Sequence, residues 1–228
     1  MGTTASLHVD DDVDVSVFDE AVVAVQSELG RLEAMFSVFR PESDISRINA
    51  GALHHLDASP EVIDVLDACA YMEQVSDGAF SIRRSRASTD INPSGFVKGW
   101  AAERASHMLV AHGLRHCYLG VGGDYALHGG MNSGQPWSIG IIDPRDATML
   151  VGTVDVMNGA VATSGTAERG THLWDPHTGE PATEFLSVTV TGPSLTWADA
   201  YATTVFVMGE LGLEWIRQFP GYDVLPVR

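Results

Sequence analysis

The residues best suited to chemistry lie between Ala162 and Gly179, Ala-Thr-Ser-Gly-Thr-Ala-Glu-Arg-Gly-Thr-His-Leu-Trp-Asp-Pro-His-Thr-Gly. The apolar run Gly159-Ala160-Val161 leads into small hydroxyl residues and a glycine. One histidine, His172, follows, beside an Asp-Pro turn that closes at Thr178-Gly179. A strand that ends this way brings N–H groups, hydroxyls and an imidazole to one edge of a sheet, where an anionic ligand can be held. A second pair is Asp199 and Thr203, four residues apart on an otherwise apolar stretch of Ala, Val and Phe, and so on one helix face. A buried carboxylate needs a partner, and a hard cation bound through oxygen is one candidate. A capping Asp with a Thr bonded to its own backbone is the other. Third, Lys98 sits in the turn Ile91-Asn-Pro-Ser-Gly-Phe-Val-Lys-Gly-Trp100 that feeds a helix. Free N–H groups at a helix N-terminus and a nearby ammonium suit a phosphate. The glycine spacing and the Lys-Ser/Thr ending of a P-loop are missing, which rejects a nucleotide triphosphatase.

The elements that must position these groups alternate between helix and strand. Met1 to Val9 reads as a strand, and from Val17 the apolar residues Val22, Val25, Leu29, Leu32 and Phe36 recur at helical spacing. Pro41 breaks that helix, and Ser43 caps a short turn ending at Asn49. Ser59-Pro60 opens a helix to about Ser76, and Ala79 to Ile82 reads as a short strand. The helix after Lys98 runs through Ala111. Strands are expected at Cys117–Val121, Trp137–Ile142, Met149–Met157 and Ala160–Thr163, with Asn158-Gly159 as a hairpin turn. These form an antiparallel meander that delivers the histidine stretch to the sheet edge. Ser187–Thr191, the Trp197–Met208 helix, a last helical turn and the strand Tyr222–Val227 complete the chain.

At 228 residues and 45% hydrophobic composition the chain can bury a sizeable core, and no stretch reads as a linker, so one domain over 1–228 is expected. The formal net charge of −17 repels nucleic acid and anionic lipid, so a polyanionic ligand would need a metal ion or a locally placed Lys. Cys69 and Cys117 show neither disulfide nor zinc spacing and are expected as buried thiols. No apolar run approaches the length of a membrane span and no signal core opens the chain. A cytoplasmic protein is expected, with an exported form whose leader has been removed as the alternative.

In order, these segments resemble the FAD:protein FMN transferase (ApbE) family over essentially the whole chain. The matches are Met1-Gly2-Thr3, Phe36-Ser37 to Ser43 with Asn49, Gly78-Ala79-Phe80, Val97-Lys98-Gly99, Gly122-Gly123-Asp124, Trp137 to Pro144, Ala162 to Gly165, His172 to Gly179, and Ala198-Asp199-Ala200 to Thr203. Each motif is short, but nine in the family's order make a specific signal. The resemblance implies an α+β fold, a single domain with a mixed, largely antiparallel sheet flanked by helices. It also implies a magnesium-dependent enzyme that uses FAD as substrate, moves the FMN half onto a Thr or Ser hydroxyl of an acceptor flavoprotein, and releases AMP.

Carried over by position, Asp199, Thr203 and the carbonyl of Gly95 resemble the family's Mg²⁺ ligands. Lys98 resembles its FAD-contacting lysine, and His172 is the candidate general base, with orientation of Asp175 or of the flavin as its competing role. Met1, Phe39, Ala79, Phe80 and Leu173 fall where the family lines its FAD pocket. Ser81 and Asn92 stand at FAD-contacting positions where the family commonly has Asp, which removes negative charge there. Two alternatives share the site: an FAD diphosphatase, in which water replaces the acceptor hydroxyl, and a flavin-binding protein without turnover.

Overall fold

The computed structural model describes residues 3–83, 88–165 and 174–228. Its strands are β1 (Ala5–Val9), β2 (Cys117–Val121), β3 (Asp124–His128), β4 (Trp137–Asp143), β5 (Asp146–Val156), β6 (Gly159–Gly165), β7 (Ser187–Gly192) and β8 (Asp223–Val227). Its α-helices are α1 (Val15–Phe36), α2 (Asp44–Asn49), α3 (Pro60–Val75), α4 (Ser94–Ala111), α5 (Leu195–Met208) and α6 (Glu210–Trp215). Six strands form one sheet in the order β1-β2-β3-β6-β7-β8, and β4 and β5 form a second sheet. Every pairing among the described strands is antiparallel, so the fold is the α+β arrangement expected.

Strand alternation decides which layer each side chain joins. Cys117, Leu119 and Val121 of β2, Ala126 of β3, Ala160 and Ala162 of β6, and Val188 and Val190 of β7 enter the main core with the helices. Their neighbours in sequence, Tyr118, Tyr125, Leu127 and Val161, pack instead with Trp137, Ile139 and Ile141 of β4. The six-stranded sheet is therefore sandwiched between helices and a two-stranded hairpin. Small residues let α4 and α5 approach closely: Gly99, Ala101, Ala102 and Ala105 on one helix, and Ala198, Ala200 and Ala202 on the other, are all buried.

Three expectations need correction. The meander does not exist, because β5 pairs with β4 alone while β6 lies inside the large sheet between β3 and β7. The Asn158-Gly159 turn instead passes the chain from one sheet to the other. It is tied to the end of β3 by Gly129 N–H donating to Asn158 Oδ1 (2.8 Å) and Gly130 N–H to the Met157 carbonyl (2.7 Å). Ala79 to Ile82 is not a strand: the N–H groups of Gly78, Ala79 and Phe80 bond back to Glu73, the Ser76 carbonyl and the Ser76 hydroxyl, finishing α3 rather than joining a ladder. Finally, α4 begins at Ser94, so Lys98 and Gly99 lie within the helix and not in the turn before it.

Candidate active site

A cavity of about 690 Å³ opens where the start of β3, the end of β6, the first turns of α4, the middle of α5 and the β4–β5 hairpin meet. Behind its wall, between the lining residues Gly123 and Tyr125, lies the buried Asp124, whose position comes from a two-residue hairpin turn. Gly122 and Gly123 adopt φ of +58° and +82°, the left-handed geometry that such turns require at both central residues. Val121 pairs with Asp124 across it. Asp124 is fully buried; its Oδ1 accepts the Thr163 N–H at 2.9 Å, and its Oδ2 is in direct contact with the Lys98 ammonium.

Lys98 also lies 3.3 Å from Asp199 Oδ1, so one cation bridges two buried carboxylates. Asp199 Oδ2 in turn accepts the Gly99 N–H at 2.9 Å. In a regular helix that N–H would serve the Gly95 carbonyl, which therefore shares or loses its helical donor. Burial pulls Lys98 toward neutrality, but Asp199 and Asp124 outweigh it and hold the ammonium above the usual lysine range. Burial, with Asp199 beside it, pushes the Asp124 carboxyl up to about 7 against the pull of Lys98 and the Thr163 N–H.

Hydroxyls complete this wall. Thr203, one turn beyond Asp199 on α5, shares a hydrogen bond with Ser164 at 3.0 Å, and Thr163 shares one with Thr189 at 2.9 Å. The Ser187 hydroxyl is buried without a hydrogen-bond partner among the described residues and lines the same cavity. Asn92 Oδ1 accepts the Ser94 N–H at 3.2 Å and so helps to start α4. Ser81 donates to Glu73 at 3.3 Å and accepts the Arg83 N–H. On the far side, Asp175 closes the Asp-Pro turn by accepting the His177 N–H and the Thr178 hydroxyl.

Of the residues singled out from sequence, Ala79, Phe80, Ser81, Asn92, Gly95, Lys98, Asp199 and Thr203 all line the cavity. Phe39 does not: its side chain is 92% exposed and absent from the cavity wall. Met1, His172 and Leu173 lie outside the described residues. Sequence reasoning counted Gly122-Gly123-Asp124 among the family motifs but gave Asp124 no role in the site. The readable signal was a carboxylate directly after two glycines at the start of an apolar strand, a place where burial forces it to find a cation.

What this wall can do follows from its charges. A cation held by two carboxylates, oxygen donors on α5 and β6, and the first turns of a helix give an anionic ligand positive contacts within a strongly acidic protein. Among the described residues no group of three or more His, Cys, Asp or Glu is arranged to hold a metal. A metal here would rest on one carboxylate supplemented by hydroxyl, carbonyl and ligand oxygens. The Asp199, Thr203 and Gly95 donors are all oxygen, which suits a hard divalent ion such as Mg²⁺.

Comparison with known proteins identifies the family. An FAD:protein FMN transferase of Treponema pallidum is 34% identical over 171 residues, covering 66% of this chain and 47% of that protein. One from Rhodobacter capsulatus is 30% identical over 172 residues, covering 68% of this chain and 32% of that protein. The chain thus spans about half or less of the length of the curated relatives it matches. The crystal structure of the ApbE protein of Thermotoga maritima superposes with a TM-score of 0.86 at 24% identity, covering 99% of this chain and 91% of that one. The flavin transferase ApbE of Vibrio cholerae gives 0.82 at 20% identity, covering 100% and 94%. These two likenesses establish the shared fold. The ApbE family model matches residues 1–86 and 82–225, nearly the entire sequence, and the chain belongs to the ApbE family.

Proposed function

We propose that this chain is an FAD:protein FMN transferase, which moves the FMN half of FAD onto a Thr or Ser hydroxyl of an acceptor flavoprotein and releases AMP. The observation that carries the reading is one cavity lined by Lys98, Asp199 and the Thr203–Ser164 hydroxyl pair, with Asp124 behind the wall in contact with Lys98. It is joined to family membership and to the name that curated relatives bear. Asp199, Thr203 and the Gly95 carbonyl would hold Mg²⁺. When bound there, the ion would neutralise charge on the diphosphate.

The chain's own residues account for the rest. The acceptor oxygen attacks the FMN-side phosphorus, a new P–O bond forms, and the P–O bond to AMP breaks, so AMP leaves with the bridging oxygen. Lys98, kept cationic by its two carboxylates, offers its third hydrogen to a phosphate oxygen, where charge accumulates in the transition state. Ser94 and Gly95, in the first turn of α4, line the same cavity at the positive end of the helix dipole. Ala79, Phe80 and Ile141 give the cavity an apolar wall on which a flavin ring can lie. His172, by its place in the family motif, is our candidate to accept the acceptor hydroxyl's proton.

The test is the fate of FAD. With Mg²⁺ and a flavoprotein domain carrying an exposed acceptor Thr, AMP should appear only when that domain is present. AMP and free FMN without acceptor would replace this reading with a diphosphatase. Bound FAD with no AMP under either condition would leave a flavin-binding protein.

A further inference from the structure

The two carboxylates that share Lys98 are not equivalent. Asp124 is fully committed to protein: one oxygen takes the Thr163 N–H and the other is in direct contact with the ammonium. It lies at the start of β3, held by a rigid glycine turn, with no exposed surface. Asp199 takes the Gly99 N–H on one oxygen but meets Lys98 at the longer distance of 3.3 Å on the other. Asp199 shares the cavity wall with Thr203, whereas Asp124 does not line it. Resting on the metal reading of Asp199 and Thr203 above, we infer that Asp124 is a positioning residue. It anchors Lys98 on the cavity wall, so that Asp199 can exchange its looser contact with the ammonium for a divalent cation.

The physical reason is competition for one carboxylate. A divalent cation and Lys98 both seek Asp199, and two cations cannot share that oxygen closely in a buried site without strong repulsion. With Asp124 ionised, the ammonium keeps a full counter-charge when Asp199 turns to the metal, and the three groups together carry one negative charge. Without the Asp124 charge, Lys98 has Asp199 as its remaining carboxylate in this array, and the array is neutral. Metal binding then must break an ion pair in a site that no longer attracts cations.

Titration of the protein with Mn²⁺, followed by the EPR signal of the free ion and reversed by excess Mg²⁺, reads this directly and needs no turnover. Asp124→Asn, which keeps the shape and an oxygen for the Thr163 N–H, should weaken Mn²⁺ binding by about tenfold or more. Lys98→Met should tighten it. The Lys98→Met/Asp124→Asn double variant should return to within about twofold of the parent, a recovery that mere structural damage at position 124 would not produce. Unchanged affinity in Asp124→Asn, or a double variant as weak as that single one, would overturn the inference and leave the metal reading standing. If Asp124→Asn does not fold, Lys98→Met decides the matter alone: tighter binding supports the inference and unchanged or weaker binding overturns it. A parent protein that takes up no Mn²⁺, or an Asp199→Ala variant that binds it equally well, would overturn the metal reading and this inference with it.

Discussion

Gly99→Ala is the substitution in which fold and site are hardest to separate. Gly99 is buried where α4 crosses α5, and a Cβ placed on it would lie 2.8 Å from Asp199 Cβ, 2.9 Å from the Leu195 carbonyl oxygen and 3.0 Å from Asp199 Oδ2. Carbon contacts settle at about 3.5–4.0 Å, so the helices would have to separate by roughly 0.7 Å or more. Two of the three neighbours are a backbone oxygen and a Cβ, which cannot swing away as the end of a long side chain would. Overpacking of this kind costs about 1–3 kcal/mol. The Gly99 N–H···Asp199 bond, made to a charged acceptor, would be stretched as well, with up to about 1.5–3 kcal/mol at stake. Acting the other way, alanine is better than glycine inside a helix by about 1 kcal/mol. The steric and hydrogen-bond losses together exceed that gain, and a net destabilisation of about 2 kcal/mol is expected. Urea unfolding should show a lower midpoint with an unchanged slope, and Mn²⁺ affinity should fall with it because Asp199 is displaced. A variant as stable as the parent, or more stable, would refute the account of how α4 and α5 fix the site.

Two further outcomes follow from the charges and thiols. Glu28 takes hydrogen bonds from Arg31 and Arg104 that, against burial, hold its carboxyl down at about 2 from its ordinary 4.5. A depressed acid stabilises the fold above its unfolded value and loses that contribution as pH falls from about 4.5 toward 2, so Glu28→Gln should flatten the acid limb of a stability-versus-pH curve in that window. An unaltered limb would show that this surface network contributes nothing. Cys69 and Cys117 are buried thiols pushed up to about 12 by desolvation and should resist Ellman's reagent until the protein is unfolded, so rapid labelling of either in the native state would contradict the packing described.

Much of the fold was legible because local signals and burial agree. The 22-residue α1, the Ser43 cap, the Pro60 start of α3 and most of the strands follow from periodicity and capping chemistry that act over a few residues, whereas the five-residue β3 was not expected. Strand partners were not legible, since β6 pairs with β3, more than thirty residues earlier, and nothing local at Asn158-Gly159 distinguishes a hairpin from a passage between sheets. The site shows the same division. Asp199 and Thr203 were readable as a polar pair on an apolar helix, and their shared position on the cavity wall follows from helix geometry. Asp124 was not, because its importance lies in meeting a lysine from another element 26 positions away, a contact that only tertiary packing creates. Phe39 is the opposite case: a motif position suggested a pocket contact, while the loop after α1 leaves the residue exposed.

The central claim is that this cavity transfers flavin with the help of Asp199. Its most direct test is a single-turnover reaction with FAD, Mg²⁺ and an acceptor flavoprotein domain, denatured and read by flavin fluorescence of the acceptor band and by its intact mass. The parent protein should leave covalent FMN on the acceptor with one AMP released for each, and Asp199→Ala should leave the acceptor unlabelled. An acceptor that stays unlabelled while FAD is bound, or one labelled equally well by Asp199→Ala, would contradict it.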